Sequence, residues 1–280
     1  MKEIAFDTIV EHVRQACIEA NCVIAEDVAQ AVQQALNQEE SPVGRKILQE
    51  ILDNHRVARD TKLPLCQDTG TAVFFVEIGQ DVRMTGGLLE DAINEGVRQG
   101  YAAGFLRNSM AANPLNRKNT GDNTPAVIHF SLTPGERLKI IFCPKGGGSE
   151  NMSDIAMLRP GDGMEGVLRF VVHTVKKAGS HPCPPVIVGV GIGGNFEKCA
   201  ILAKKALTRP IGSPNPKLEL SHLEVSFLDE INKLGIGPMG LGGRVTALAV
   251  HIETFPCHIA SLPVAVNINC HAARHKEILL

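Results

Sequence analysis

Apolar residues recur at Ile4, Ile9, Val13 and Cys17, which predicts one helical face over residues 3–20. A second helix is predicted from Glu26 to Asn37. Ser41 followed by Pro42 predicts a third, with Ser as N-cap and Pro in the first turn. On that helix Val43, Ile47, Leu48, Ile51 and Leu52 are expected to turn inward. Residues 1–60 therefore read as a helical layer.

The pattern changes at Pro64. Ala72–Ile78 reads as a strand by its β-branched and aromatic content. Leu88–Tyr101 has helical spacing. Ala126–Leu132 and Leu138–Phe142 read as two strands joined by a turn at Pro134-Gly135, an apparent hairpin. Met164–Ala178, Asn195–Leu207 and Leu218–Leu234 read as helices. Val186–Val190, Val245–Glu253 and Val264–Ile268 read as strands. Interleaved strands and helices with one hairpin predict a mixed α/β (α+β) fold. A mixed parallel and antiparallel sheet would be covered by helices, in one domain over residues 1–280.

Composition narrows the function classes. A net charge of −2 without a basic stripe argues against nucleic acid and anionic membranes. Trp is absent and Tyr occurs once, so aromatic anchoring of partners is not expected. No apolar run is long enough to span a bilayer, and the first residues lack a signal-peptide pattern; a cytoplasmic protein is expected. Its eight cysteines are then expected to be reduced thiols or metal ligands.

Three cysteines sit in rigid frames. Cys66 lies in PLCQDTG and Cys183 in SHPCPPV, each just before a predicted strand; Cys270 lies in NINCHAARH, just after one. Loop–strand junctions commonly present functional groups, and proline stiffens two of these frames. Their wide separation in sequence gives no signal by spacing, and buried cysteine is often core filler. That filler reading suits Cys17, Cys22, Cys143, Cys199 and Cys257.

Gln67 and Asp68 follow Cys66 directly. Asp68 could transfer a proton and Gln67 could hold a carboxylate; equally, Asp68 could cap a turn. KGGGSEN, beginning at Lys145, offers glycines around Gly147 that would leave N–H groups open to an anion, or form only a flexible turn. Arg107 matches a carboxylate by its two-pronged geometry, or is a solvated helix-end charge. His258 suits proton transfer near neutral pH, or is a satisfied core histidine. VIVGVGIGGNFEK fits G-x-G-x-x-G at Gly189, Gly191 and Gly194, so a nucleotide-binding module is the rival. No acidic strand end follows at the distance that fingerprint needs. Gly237–Gly243 is a further glycine-rich turn with no assigned purpose.

PLCQDTG, KGGGSEN, PCPPVIVGVGIGGNFEKCAILAKKAL, RPIG and NCHAARH together resemble the alpha part of class I, iron–sulfur-dependent fumarate hydratases and the related tartrate dehydratases. The resemblance runs from about Gly44 to Leu280. It implies that Cys66, Cys183 and Cys270 ligate a 4Fe–4S cluster with one open iron acting as Lewis acid. It further implies that Gln67, Arg107, Lys145 and Gly147 surround a dicarboxylate, and that Asp68 and His258 manage protons while (S)-malate and fumarate interconvert. Single-chain members continue into a second domain, whereas this sequence stops soon after Cys270. The remaining groups are therefore expected from a separate beta subunit, in an α2β2 assembly. KGGGSEN and CHAARH look like the fumarase branch; a tartrate dehydratase alpha subunit is the alternative.

Overall fold

The computed structural model describes residues 1–280, which fall into two compact units. The first comprises Met1–Ala25, His55–Gly147 and Arg274–Leu280; the second comprises Glu26–Asn54 and Gly148–Ala273.

In the first unit, strand β1 (Lys2–Ala5) precedes helix α1 (Phe6–Cys22) and pairs in parallel with β3 (Val82–Thr85). The helical spacing is thus correct from Phe6 onward, but the first residues are extended because β3 offers them a ladder. Helix α4 (Leu89–Ala103) packs on α1. Strands β2 (Thr71–Gly79), β4 (Val127–Thr133), β5 (Leu138–Lys145) and β10 (Lys276–Leu279) form one sheet in the order β10-β5-β2-β4. Ile9, Val13, Ile93, Val97, Phe74, Ile140 and Phe142 fill the core between this sheet and the helix pair.

The expected hairpin does not form. β2 lies between β4 and β5, parallel to the first and antiparallel to the second. At the turn, the Gln80 N–H donates to Thr133 and the Gly79 N–H to Arg137, so β2 takes the ladder positions on both sides. A parallel β2–β4 pair needs a long crossover, and the chain through α4 supplies it.

The second unit holds α2 (Glu26–Gln38) and the start of α3 (Pro42–Thr61), where the Gly44 N–H donates to the Ser41 hydroxyl at 3.2 Å. Leu48 and Ile51 pack inward with Val32 and Val245, but Val43 is exposed, contrary to its expected inward turn. The short helix α5 (Gly147–Glu150) leads to β6 (Asp154–Leu158) and α6 (Gly163–Ala178). β7 (Val186–Gly193), α7 (Phe196–Ala206), α8 (Leu218–Asn232), β8 (Ala247–Phe255) and β9 (Leu262–Asn269) follow. The sheet order is β6-β9-β7-β8, with β7 parallel to β8 and antiparallel to β9. The fold is mixed α+β with mixed sheets, as the sequence pattern predicts.

Gly189 and Gly191 lie inside β7 rather than at a phosphate-binding turn. A Cβ on Gly191 would meet the Cys199 carbonyl at 2.0 Å and one on Gly189 the Ala203 carbonyl at 2.1 Å. The glycines let α7 lie directly on the strand, which explains the fingerprint-like spacing without a nucleotide. The Gly237–Gly243 turn also acquires a purpose. It carries the chain around Glu39, which is 1% exposed and whose carboxylate accepts the N–H groups of Glu40, Ser41, Arg244 and Val245, each at 2.9 Å. Arg209 of RPIG forms a buried ion pair with Glu224, which also accepts Asn215 Nδ2 and the Ile252 N–H.

Candidate active site

The PLCQDTG segment is the loop between α3 and β2, and its conformation is set from several sides. The Asp68 carboxylate does what a turn-capping Asp does: Oδ1 accepts the Gly70 N–H at 3.0 Å. Its other oxygen, Oδ2, accepts the Gly147 N–H at 2.8 Å, from a residue 79 positions away. Two motifs distant in sequence are thereby joined through one carboxylate. Gly146 makes room for it, since a Cβ there would come within 3.2 Å of Oδ2.

None of Gly146, Gly147 and Gly148 has positive φ, so the glycine segment is not the alternating nest expected from its composition. It turns directly from β5 into α5, and the Gly147 N–H is already taken by Asp68. Lys145 ends β5 and is 5% exposed.

Thr69 ties this loop to the one bearing Arg107. Its hydroxyl accepts the Arg107 N–H at 2.9 Å and donates to the Arg107 carbonyl at 3.1 Å. The buried Tyr101 hydroxyl lies 2.9 Å from the Thr69 carbonyl and 3.0 Å from that of Gly70. Burial pushes the Tyr101 phenol well above its ordinary pKa, so it stays a donor. The backbone of Arg107 is thus fixed while its side chain, like that of Gln67, is exposed. An exposed guanidinium can receive a carboxylate from solution, and an exposed amide can hydrogen-bond one.

Cys183, Cys270 and His258 belong to the second unit. Cys183 is exposed, three residues before β7, and has φ of 54°, a left-handed backbone rare for a residue with a side chain. Cys270 follows β9, and the next residue's N–H points to the Cys183 carbonyl at 3.5 Å, so these two cysteine loops adjoin. His258 is not a core histidine. It lies exposed on the loop between β8 and β9, and its Nδ1 accepts the Ala260 N–H at 3.1 Å, which leaves the proton of the neutral ring on Nε2. Met164, Val167, Ile192, Cys257 and His258 line a cavity of about 330 Å³. Cys257, expected as filler, is exposed there.

The cysteines divide by environment. Cys17, Cys22 and Cys199 are buried, and burial raises each thiol pKa, so they stay protonated and make poor ligands. Cys66, Cys183 and Cys270 are all at least partly accessible, and no cysteine is spent in a disulfide. No three His, Cys, Asp or Glu side chains converge as a single metal ion requires. Cys143 and Cys257 are accessible as well, so exposure alone does not single out the three. A polynuclear cluster asks for one thiolate on each of several irons, and in donor chemistry Cys66, Cys183 and Cys270 fit that group.

The sequence profile described as Fumarate hydratase (Fumerase) matches residues 10–279. The chain belongs to this family of hydro-lyases. A protein of Methanocaldococcus jannaschii named "Putative L(+)-tartrate dehydratase subunit alpha" is 43% identical over 274 residues, covering 96% of this chain and 94% of the relative. The L(+)-tartrate dehydratase subunit alpha of Escherichia coli K12 is 34% identical over 258 residues, covering 91% and 85%. No helix is long and apolar enough to cross a membrane.

Two elements of the site were not anticipated from the sequence. One is the Thr69–Arg107 clasp. The other is Arg274, which donates to the Asp68 carbonyl from within the NCHAARH motif. A basic residue in a motif next to small apolar residues was the available signal.

Proposed function

We propose that this chain is the alpha subunit of an iron–sulfur hydro-lyase that removes water reversibly from a four-carbon 2-hydroxydicarboxylate. The observation that carries the reading is the Asp68–Gly147 hydrogen bond, which brings the PLCQDTG and KGGGSEN motifs of a hydro-lyase family to one place. Residues 1–280 are read as one catalytic domain.

Cys66, Cys183 and Cys270 would hold a 4Fe–4S cluster. When bound, such a cluster with three protein ligands supplies a Lewis acid at its remaining iron. Arg107 and Gln67 bind and orient the substrate carboxylates through their exposed ends. Asp68, held by two backbone N–H groups, handles the proton on the departing or attacking oxygen. His258 assists through Nε2. Lys145 and Gly147 shape the wall behind the carboxylate. The base that takes the C3 proton and further carboxylate-binding arginines come from a beta subunit in an α2β2 assembly, a reading supported by relatives named as alpha subunits.

Motif character favours (S)-malate and fumarate. The names of the relatives favour L(+)-tartrate as a second reading. The products separate the two. Malate gives a conjugated diacid that absorbs in the ultraviolet, whereas tartrate gives an enol that becomes a 2-oxo acid. Anaerobic co-expression with the partner chain, followed by assay on both substrates, is the test. Turnover of either supports the hydro-lyase reading and names the substrate; turnover of neither by an iron-loaded complex removes it.

A further inference from the structure

Arg274 is 4% exposed, and its hydrogen-bond partners are an amide oxygen and a backbone carbonyl rather than a carboxylate. Its Nη1 donates to Asn21 Oδ1 at 2.8 Å and its Nη2 to the Asp68 carbonyl at 3.0 Å, while Nε has no partner. Burying a cation without a direct salt bridge is expensive unless its hydrogen bonds are well made. Asn21 is itself fully buried at the end of α1. Its Nδ2 donates to the Cys17 carbonyl at 2.8 Å, and its own carbonyl accepts the Leu65 N–H at 2.8 Å. The guanidinium thus links Asn21 of α1 to Asp68, while the backbone of Asn21 itself holds Leu65, the residue before Cys66.

We propose that Arg274 is a positioning residue of this hydro-lyase, fixing the turn that carries Cys66 and Asp68 through its bonds to the Asp68 carbonyl and to Asn21. The importance of that turn rests on the functional reading above; the brace itself does not. With the carbonyl of Asp68 held on one side, its carboxylate can reach Gly70 and Gly147 together. The rigid fork of Arg meets both acceptors from one plane, which the single point charge of Lys cannot do.

The test uses the full chain without iron, comparing wild type with Arg274→Lys and Asn21→Ala by hydrogen–deuterium exchange. The amides of Gly70 and Gly147 report the position of the Asp68 carboxylate. In Arg274→Lys both should exchange at least roughly tenfold faster, and in Asn21→Ala less so, while the central amides of β2 keep wild-type protection. Wild-type exchange at both glycines in folded Arg274→Lys overturns the proposal. Should that variant not fold, unchanged exchange in Asn21→Ala overturns it instead. In the reconstituted heteromer, Arg274→Lys should lower kcat roughly a hundredfold with KM little changed, as expected for a misplaced group. A rise in KM alone would contradict positioning. The exchange measurement needs no cluster, partner or substrate, so inactivity of the wild-type complex would remove the hydro-lyase reading and leave the brace standing.

Discussion

Asp68 Oδ2 accepts the Gly147 N–H at 2.8 Å while Oδ1 accepts that of Gly70 at 3.0 Å. The residue therefore closes its own turn and also fastens that turn to the end of β5. The proton-transfer role proposed for Asp68 requires the group to be held in place, and these two bonds hold it. Asp68→Asn keeps one acceptor but sets an amide N–H against a backbone N–H. Activity of the heteromer on its substrate should fall by at least ~10²-fold, the scale of one general acid–base group. Stability should fall by about 1–3 kcal/mol, read by urea denaturation, because a backbone donor loses its partner.

Glu39 is the main anchor around which the glycine-rich turn of the second unit is built. Burial raises its pKa, but four backbone N–H groups more than offset this, and the net direction is down. A carboxyl depressed in the folded state contributes stability above its unfolded pKa of about 4.3, and that contribution is lost as pH falls through the folded value. Glu39→Gln should cost about 2–4 kcal/mol near neutral pH, since a charged acceptor is removed and an amide faces donors. The melting temperature of the variant should also vary less with pH below about 4.3 than that of wild type.

His251 titrates in a different window. Burial, with the charge of Arg209 next, lowers its pKa from 6.5 to about 4, and its Nδ1 lies 3.1 Å from the Ala206 carbonyl. Between those values the unfolded chain takes a proton that the folded one refuses. The resulting stability is complete above pH 6.5 and is lost as pH falls toward 4. His251→Asn retains a donor for the carbonyl and cannot titrate. Thermal melts across that range should show a shallower acid decline in the variant; identical slopes would contradict the assignment.

Gly191→Ala tests the rival nucleotide reading and the packing account together. The added methyl would overlap the Cys199 carbonyl at 2.0 Å, so a loss of at least roughly 3 kcal/mol or failure to fold is expected. Wild-type protein should show no thermal stabilisation by NAD or ATP far above micromolar concentration, where a true ligand would shift the melt.

Much of this arrangement was legible in the sequence. The helices from Glu26 onward and the long strands follow their apolar periods closely, because burial imposes those periods directly. The β4–β5 pairing was not legible. A Pro-Gly turn between adjacent strands reads as a hairpin, and only the earlier strand β2, competing for both ladders, displaces it. β1 and β10 are short edge strands whose partners lie far away in sequence, so local pattern carries little of their identity. At the site, the motifs marked the PLCQDTG and KGGGSEN loops. They could not show that Asp68 is the bond between them, nor the left-handed backbone of Cys183, because both depend on contacts made elsewhere.

Iron content after anaerobic reconstitution tests the central claim most directly. Cys199→Ser is the reference, since its hydroxyl can keep the bond that Cys199 gives to Phe196. Wild type and Cys199→Ser should hold about four irons per chain, while Cys66→Ser, Cys183→Ser and Cys270→Ser each lose most of it. Wild-type protein that takes up no iron, or equal iron in all five proteins, would contradict the account.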